Sequence, residues 1–291
     1  SDSRSPWGGR LARQVGVRGT IHDMPAASTP PPLGILGFGH FGRTLGDLVQ
    51  TAGRGWLAAD PQAAVPADCR AEDARDLASR CRVILLCVPV PMFEAVLVDL
   101  RPTLSPDHLI LDVGSVKVWP SEVMERVLGH EVPWCATHPL FGPVSLARHE
   151  RPLRVVVCPN GQHPDTTARA RGLYEMLGCE VAEQEADAHD RHMAETHALA
   201  FFVAKAMLDI EAGQGSEIIT PSFRAMAQTV ETVRGDAGHL FSLIHLGNPH
   251  AAEARQRLLE ALHTIDAELR EATASGSDAG VHQIEPSGDT E

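Results

Sequence analysis

The sequence predicts an α/β fold in which a doubly wound, mainly parallel sheet is followed by an all-helical region. Two observations carry this prediction. Up to about Val181, short apolar runs typical of strands alternate with helical stretches, and from Ala186 onward only long helical periodicity remains. Strands that are apolar along their whole length and separated by helices indicate a parallel sheet covered on both faces.

The strands and helices are predicted in chain order from these runs. Six strands are expected at residues 33–37, 55–60, 82–88, 108–113, 134–137 and 153–158. The helices between them are expected at residues 41–51, 71–80, 92–100, 120–128 and 164–177. In the second part, helical periodicity predicts helices at residues 191–212, 222–234 and 249–271.

A glycine-rich turn follows the first predicted strand and precedes the first predicted helix. A strand, turn and helix of this kind binds the pyrophosphate of a dinucleotide, because the helix N-terminus offers amide donors to the phosphates. The predicted cofactor-binding residues of the turn are Gly37, Phe38, Gly39, His40, Phe41 and Gly42. The sheet is therefore predicted to be of the Rossmann type.

Asp60 ends the second predicted strand, about 20 residues beyond the turn, where an acidic residue bonds the adenosine ribose. A carboxylate there repels a 2′-phosphate, and Pro61 and Gln62 follow it rather than an arginine. NAD is therefore favoured over NADP. Val88 and Pro89, at the end of the third strand, are expected to line the cofactor crevice.

Composition divides the chain and excludes several classes of function. We expect a disordered extension at residues 1–31, the dinucleotide domain at 32–184, a helical domain at 185–272 and a disordered tail at 273–291. The net charge of −13 argues against nucleic-acid binding, and the chain lacks the long apolar stretch of a membrane span. Six cysteines without a CxxC pair favour the reducing cytoplasm, although the arginines of the extension also suit an organelle transit peptide.

The fourth predicted strand is followed by Ser115 and Lys117, beside the expected position of a nicotinamide. One interpretation is that Ser115 caps the helix beginning near Val118 and that Lys117 is solvated. The other is that both side chains bond cofactor or substrate. A cap does not exclude the second role.

His138 ends the fifth predicted strand and is followed by Pro139 and a glycine turn. A histidine fixed in this way suits a general base, since its ordinary pKa of about 6.5 leaves the neutral ring available near pH 7. The alternative is a half-buried structural histidine.

Together the motifs resemble the prephenate/arogenate dehydrogenase family of tyrosine biosynthesis. The resemblance rests on the glycine turn, DVGSVK at 112–117, THPLFGP at 137–143 and HDRHMA at 189–194. It implies oxidative decarboxylation of prephenate or arogenate, with hydride transfer to NAD(P)⁺, and a helical C-terminal domain that forms a homodimer. It also implies that His138 takes the proton of the substrate 4-hydroxyl and that Ser115 orients this hydroxyl.

The resemblance extends to residues that would hold the substrate. Arg224 matches an arginine that grips a substrate carboxylate, although a surface arginine is the alternative. Thr196 and His197 stand where relatives have a Ser-His pair, and Ala200 replaces a second histidine of that pattern. His197 either contacts substrate or packs between helices.

Other functions stay open at this stage. A dehydrogenase or reductase of the β-hydroxyacid or imine type would rely on a lysine of the second domain, for which Lys205 is the candidate. An amino-substituted prephenate is a possible substrate, and a non-catalytic NAD-responsive protein is a third alternative. His189, His192 and His197 are spaced to share a helix face, but no metal site is predicted, because hydride transfer from an alcohol does not require one.

Overall fold

A computed structural model describes residues 30–235 and 239–275 of the chain. Its strands are β1 (Leu33–Leu36), β2 (Trp56–Ala59), β3 (Val83–Leu86), β4 (Leu109–Asp112), β5 (Trp134–Pro139), β6 (Leu153–Cys158) and β7 (Cys179–Glu183). The helices among them are α1 (His40–Thr51), α2 (Ala74–Arg80), α3 (Val90–Leu100), α4 (Val118–Leu128), α5 (Pro143–Ala147) and α6 (Asp165–Met176). The sequence predicted six of these strands and missed β7 as a strand of its own.

The strands form one sheet in the order β2-β1-β3-β4-β5-β6-β7. The first five are parallel, and β6 pairs antiparallel with β5 and parallel with β7. The prediction of a mainly parallel, doubly wound sheet is confirmed. The carboxyl ends of β1 to β5 meet at one edge, and the chain order reverses between β1 and β3, which is where such sheets bind ligands.

Helices cover both faces of the sheet. On one face, Leu77, Leu97 and Met124 of α2, α3 and α4 join a buried apolar cluster with the strands. On the other face, Leu45 of α1 and Tyr174 of α6 belong to a second cluster. Burial on both faces explains why the strands are apolar along their whole length.

The described residues beyond β7 are mainly helical. They comprise α7 (Ala186–Met193), a π-helical turn (Ala194–Ala198), α8 (Leu199–Asp209), α9 (Pro221–Gly235), α10 (His239–Leu246) and α11 (Ala251–Ser275). The helix predicted from residue 191 begins five residues earlier, α10 was not predicted, and α11 continues three residues into the predicted tail. Residues 1–29 and 276–291, which hold most of the predicted extension and tail, lie outside the described residues.

Within the described ranges, none of the helices is both long and apolar enough to cross a membrane. The boundary between a dinucleotide domain and a helical domain near residue 184 stays a prediction.

Candidate active site

The glycine turn has the geometry that a dinucleotide requires. Gly37 has φ +96°, and a Cβ there would lie 2.5 Å from the carbonyl oxygen of Cys87. A Cβ at Gly42 would lie 2.2 Å from the carbonyl oxygen of Gly37, whereas one at Gly39 would meet nothing within 4 Å. The chain itself therefore requires two of the glycines, and the third leaves open space at the start of α1. Such an open backbone fits the close approach of a pyrophosphate.

Asp60 joins the end of β2 to this turn. Its carboxylate accepts hydrogen bonds from the backbone N–H groups of Phe38 at 2.6 Å, Gln62 at 2.8 Å and Ala63 at 2.7 Å. Partial burial opposes its charge, but these donors outweigh burial and lower the pKa of Asp60. The carboxylate is thus ionised and half-buried beside the turn, where it suits the ribose hydroxyls.

The other predicted cofactor residues lie in the turn or near it. Phe38 is buried and stacks on Trp56 with ring centroids 5.4 Å apart, so its side chain supports the turn from inside. Phe41 packs on Phe141 at 6.2 Å, and His40 is exposed at the start of α1. Val88 and Pro89 follow β3, and Pro89 directly precedes α3. Their positions agree with the predicted crevice.

Arg43 also belongs to this region, although the sequence argument passed over it. Its Nε donates to the carbonyl oxygen of Phe38 at 3.2 Å, and its guanidinium lies 5.7 Å from the centroid of the Phe38 ring. An exposed cation beside the turn adds positive potential where phosphates would bind. The signal in the sequence was an arginine directly after the glycine motif.

Ser115 follows β4, and His138 lies in the last two residues of the neighbouring parallel strand β5. The register of β4 and β5 places Asp112 beside Ala136. Ser115 and His138 come two or three residues after this pair, so they lie at the same edge of the sheet. His138 is 4 % exposed, and Ser115 is half-buried in the loop before α4. The structure brings the two predicted catalytic residues to one edge, as the strand ends indicated.

Lys117 has a different position from either interpretation of the sequence. Its side chain is fully buried and pairs with the carboxylate of Asp112. Its Nζ also donates to the carbonyl oxygen of Thr137 at 2.6 Å. The solvated alternative is wrong, because the ammonium group is held inside the protein between β4 and β5. This position does not favour a contact between Lys117 and substrate, which stays a prediction.

The N-terminus of α4 is capped from another element. The Asp190 carboxylate on α7 accepts hydrogen bonds from the backbone N–H groups of Lys117 at 2.7 Å and Val118 at 2.9 Å. Ser115 does not serve as the cap. The cap therefore fastens the helical region to the loop that carries Ser115.

Three histidines meet at the end of β5. The Nδ1 atom of His138 lies 2.8 Å from Nε2 of His189, and Nδ1 of His189 lies 2.8 Å from the Asp190 carboxylate. The His197 ring is stacked on His138 at a centroid distance of 6.3 Å and makes an edge contact with Phe201 at 4.7 Å. His197, for which the sequence left two roles open, thus lies beside the predicted base.

This cluster favours neutral imidazoles. Burial lowers the pKa of His138 well below 6.5, and repulsion from a protonated His189, from the Lys117 ammonium and from a protonated His197 would act in the same direction. Burial also lowers the pKa values of His189 and His197. His138 is therefore available as an unprotonated base at neutral pH.

A π-helical turn helps to bring His189 and His197 to the same ring. On a regular α-helix, residues eight apart are rotated by about 80° from each other. Residues Ala194–Ala198 form the π turn, which lies between the two histidines and includes the second. Such turns are frequent at functional sites.

The other predicted side chains lie away from this cluster or are exposed. Thr196 donates to the carbonyl oxygen of His192 at 2.7 Å, and His192 itself contacts Gln184. Arg224 is exposed on α9. Lys205 pairs with Asp209 on the surface of α8, which does not favour the role expected of it in an imine-type enzyme.

The comparisons with known proteins agree with this geometry. Residues 55–182 match the family model described as the nucleotide-binding domain of prephenate dehydrogenase. The chain is thus similar to proteins of the prephenate/arogenate dehydrogenase family. The resemblance found in the motifs is thereby confirmed.

Curated relatives of the family match much of the chain. Arogenate dehydrogenase 1, chloroplastic, from Arabidopsis thaliana is 28 % identical over 265 residues, which cover 87 % of this chain and 41 % of that protein. A probable arogenate/prephenate dehydrogenase from Methanocaldococcus jannaschii is 23 % identical, over 63 % of this chain and 43 % of that protein. The chain therefore spans about two fifths of the length of these relatives.

A solved structure of the family has the same fold. Prephenate dehydrogenase from A. aeolicus, in complex with hydroxyphenyl propionate and NAD⁺, superposes with a TM-score of 0.68 at 18 % identity. The match covers 85 % of this chain and 94 % of that one. It confirms the sheet followed by helices.

His189 and Asp190 belong to the HDRHMA motif but are not among the predicted site residues. Both are completely buried, and the side-chain amide of Asn248, which precedes α11, donates to the carbonyl oxygen of Asp190 at 2.7 Å. An adjacent His-Asp pair opening a helix was the available signal. What it did not reveal is which ring the pair would face.

Proposed function

We propose that this protein is an NAD-dependent dehydrogenase that oxidatively decarboxylates prephenate or arogenate, giving 4-hydroxyphenylpyruvate or tyrosine. The observation that carries the proposal is a buried, neutral histidine at the end of β5, on the same sheet edge as a turn that fits a pyrophosphate. The names of the curated relatives and of the solved family structure support the substrate class.

The residues at the sheet edge have different roles in the proposed reaction. NAD⁺, held by the glycine turn and Asp60, would supply the acceptor for the hydride that leaves the ring carbon bearing the hydroxyl. His138 takes the hydroxyl proton through its free ring nitrogen, and Ser115 orients that hydroxyl from the end of β4. The ring carboxylate then departs as CO₂, and the gain of aromaticity makes the step effectively irreversible.

Cofactor choice follows from the turn and its neighbours. Gly37, Gly39 and Gly42 would carry the pyrophosphate at the start of α1, and the Asp60 carboxylate would bond the ribose hydroxyls. Because Asp60 is ionised, a 2′-phosphate would be repelled, so we propose NAD rather than NADP. Val88 and Pro89 would form the wall of the crevice.

The substrate carboxylates need a cation in a protein of net charge −13. We assign this role to Arg224, whose planar guanidinium is suited to a bidentate carboxylate contact. His197 would contact the substrate ring or its substituents, since it is stacked beside His138. Thr196, which is exposed on the π turn, is the other substrate contact that we propose.

A matrix of cofactors and substrates tests the function. Purified protein is mixed with NAD⁺ or NADP⁺ and with prephenate, arogenate or a 4-amino analogue of prephenate, and NADH or NADPH formation is followed by absorbance. We expect turnover with NAD⁺ and at least one of the first two substrates. Turnover only with the amino analogue would identify that compound as the substrate. Cofactor binding without any hydride transfer would support the non-catalytic alternative.

We also propose that the helical region forms a homodimer. Leu262, Ile265 and Leu269 repeat at spacings of three and four along α11 and are 46–49 % exposed. On the same helix, Leu258 lines a groove of about 370 Å³ that is otherwise formed mainly by apolar side chains of α8 and α9. Light scattering should give the mass of a dimer, and replacing Leu262 and Leu269 together by glutamate should give a monomer.

A reducing compartment such as the cytoplasm is proposed for the protein. All six cysteines are free thiols, and burial raises the pKa of the Cys81 and Cys179 thiols to about 11. Thiol titration of protein isolated under non-reducing conditions should recover every cysteine in reduced form.

A further inference from the structure

We propose that His189 and Asp190 are positioning residues that hold His138 in the tautomer whose Nε2 atom carries the lone pair. The inference rests on the proposed function only in assigning His138 as the base. The observation behind it is an unbroken line of contacts from the α4 N-terminus through Asp190 and His189 to His138.

The direction of each hydrogen bond between these residues follows from the Asp190 carboxylate. Asp190 is completely buried, and its carboxylate accepts from two backbone N–H groups at the positive end of α4. An ionised carboxylate only accepts hydrogen bonds, so Nδ1 of His189 must carry the proton in their 2.8 Å contact.

The tautomer of His138 is then determined. A neutral His189 that is protonated on Nδ1 has a lone pair on Nε2, which accepts a hydrogen bond. The atom 2.8 Å away, Nδ1 of His138, must therefore be the donor. The proton of a neutral His138 is held on Nδ1, and Nε2 is left as the basic nitrogen.

The opposite arrangement is disfavoured by the surroundings. If His138 carried its proton on Nε2, its Nδ1 would be an acceptor and His189 would have to donate from its own Nε2. His189 could do so as a cation, protonated on both nitrogens. As a neutral ring it would have to be protonated on Nε2 alone, which would turn the lone pair of Nδ1 toward the Asp190 carboxylate. Both histidines are buried, and the Lys117 ammonium and the His197 ring are the other titratable groups whose charge acts on His138. A second cation in this cluster would meet the repulsion of Lys117.

The same line stabilises the charge that forms in the reaction. When Nε2 of His138 takes the substrate proton, the ring becomes an imidazolium and its Nδ1–H donates more strongly to His189. His189 passes this polarisation to Asp190, whose negative charge faces the developing positive one. Loss of either residue therefore affects proton transfer more than substrate binding.

Nitrogen NMR tests the tautomer directly. The protein is labelled with ¹⁵N at the histidine rings, and the two signals that vanish in His138→Asn are assigned to His138. At pH 7.5 we expect Nδ1 to be protonated and Nε2 unprotonated. A protonated Nε2 on a neutral His138 would overturn the inference, and because no substrate is needed, this result is independent of the proposed reaction.

Kinetics of matched variants test the consequence. His189→Leu removes the acceptor and should lower kcat by about 10²–10³-fold with KM changed less than threefold, in line with the cost of a misoriented base. His189→Gln keeps an acceptor oxygen and should recover at least tenfold of that loss. His192→Leu lies three residues further along the same helix, contacts Gln184 instead, and should leave kcat and the pH profile unchanged.

Two results would count against a positioning role. One is a His189→Leu enzyme with wild-type kcat and an unchanged acid limb of kcat/KM. The other is equal loss in the leucine and glutamine variants at unaltered cofactor affinity, which would mean that the ring contributes shape rather than an acceptor. If His189→Leu does not fold, the tautomer of His138 in Asp190→Asn gives the same decision.

Discussion

Replacing Lys117 by methionine is expected to lower the free energy of unfolding by about 3–5 kcal/mol, the usual cost of removing one partner of a buried ion pair. The side chains of Lys117 and Asp112 are 0 % and 3 % exposed. Without Lys117, the Asp112 carboxylate stays buried with the Gly114 N–H as a remaining donor, and the carbonyl oxygen of Thr137 loses its hydrogen bond from Nζ.

The magnitude converts to a large thermal shift. For a protein of this size, each kcal/mol moves the melting temperature by roughly 2–4 °C, so a fall of about 6–20 °C is expected. Circular dichroism during heating and urea unfolding both measure it. The chain provides its own control, because its only other lysine, Lys205, forms a pair that is 41 % and 59 % exposed. Lys205→Met should cost at most about 1 kcal/mol.

A double variant separates the ion pair from simple packing. Asp112→Asn combined with Lys117→Met removes both charges and should recover part of the loss caused by Lys117→Met alone. Equal stability losses in Lys117→Met and Lys205→Met would refute the reasoning. A Lys117→Met enzyme with an unchanged melting temperature and a greatly raised KM would restore the substrate-binding role that burial argues against.

Three further predictions concern the base, its titration and the turn. His138→Asn should lower turnover by about 10²–10⁴-fold and leave NAD affinity, measured by fluorescence titration, nearly unchanged; equal loss of both would make His138 structural. Burial holds the pKa values of the clustered histidines below 6.5 and that of His245 at about 4. The stability that these neutral rings contribute is therefore complete above about pH 6.5 and is lost as pH falls through the lowered folded-state values, which urea titrations from pH 7.5 to 4 would detect. The acid limb of kcat/KM should likewise lie below pH 6.5, and a limb at or above it would contradict a buried neutral base. Gly39→Val should weaken NAD binding at least tenfold with a stability change under about 1 kcal/mol, whereas Gly42→Ala should unfold the turn, because its Cβ would lie 2.2 Å from the Gly37 carbonyl oxygen.

Local signals in the sequence were sufficient for the sheet and its cofactor edge. Parallel strands that are covered on both faces must be apolar throughout, and the strands of this chain are short apolar runs. Their places in the chain therefore follow from the residues alone. The glycine turn and Asp60 follow the ends of strands, His138 lies at the end of β5, and parallel strands bring such ends to one edge. Their grouping was therefore predictable without coordinates.

The direction of a long side chain was not predictable. Lys117 stands at a strand end, where both solvent and substrate were reasonable partners. Only the register of β4 and β5 places Asp112 and the Thr137 carbonyl oxygen within its reach. Asp112 stands only five residues before Lys117, but the second partner, the Thr137 carbonyl oxygen, comes from a separate strand that the neighbouring sequence does not specify.

What the sequence by itself determined was the set of strand-end residues, because a parallel sheet places them by local pattern and topology. Tertiary structure alone decided how His138 is held. His189 and Asp190 lie about 50 residues further along the chain, and they reach His138 and the α4 N-terminus only because α7 packs across the end of the sheet. Hydrogen bonds of that kind depend on the packing of distant elements to within a few tenths of an ångström, which local periodicity does not encode.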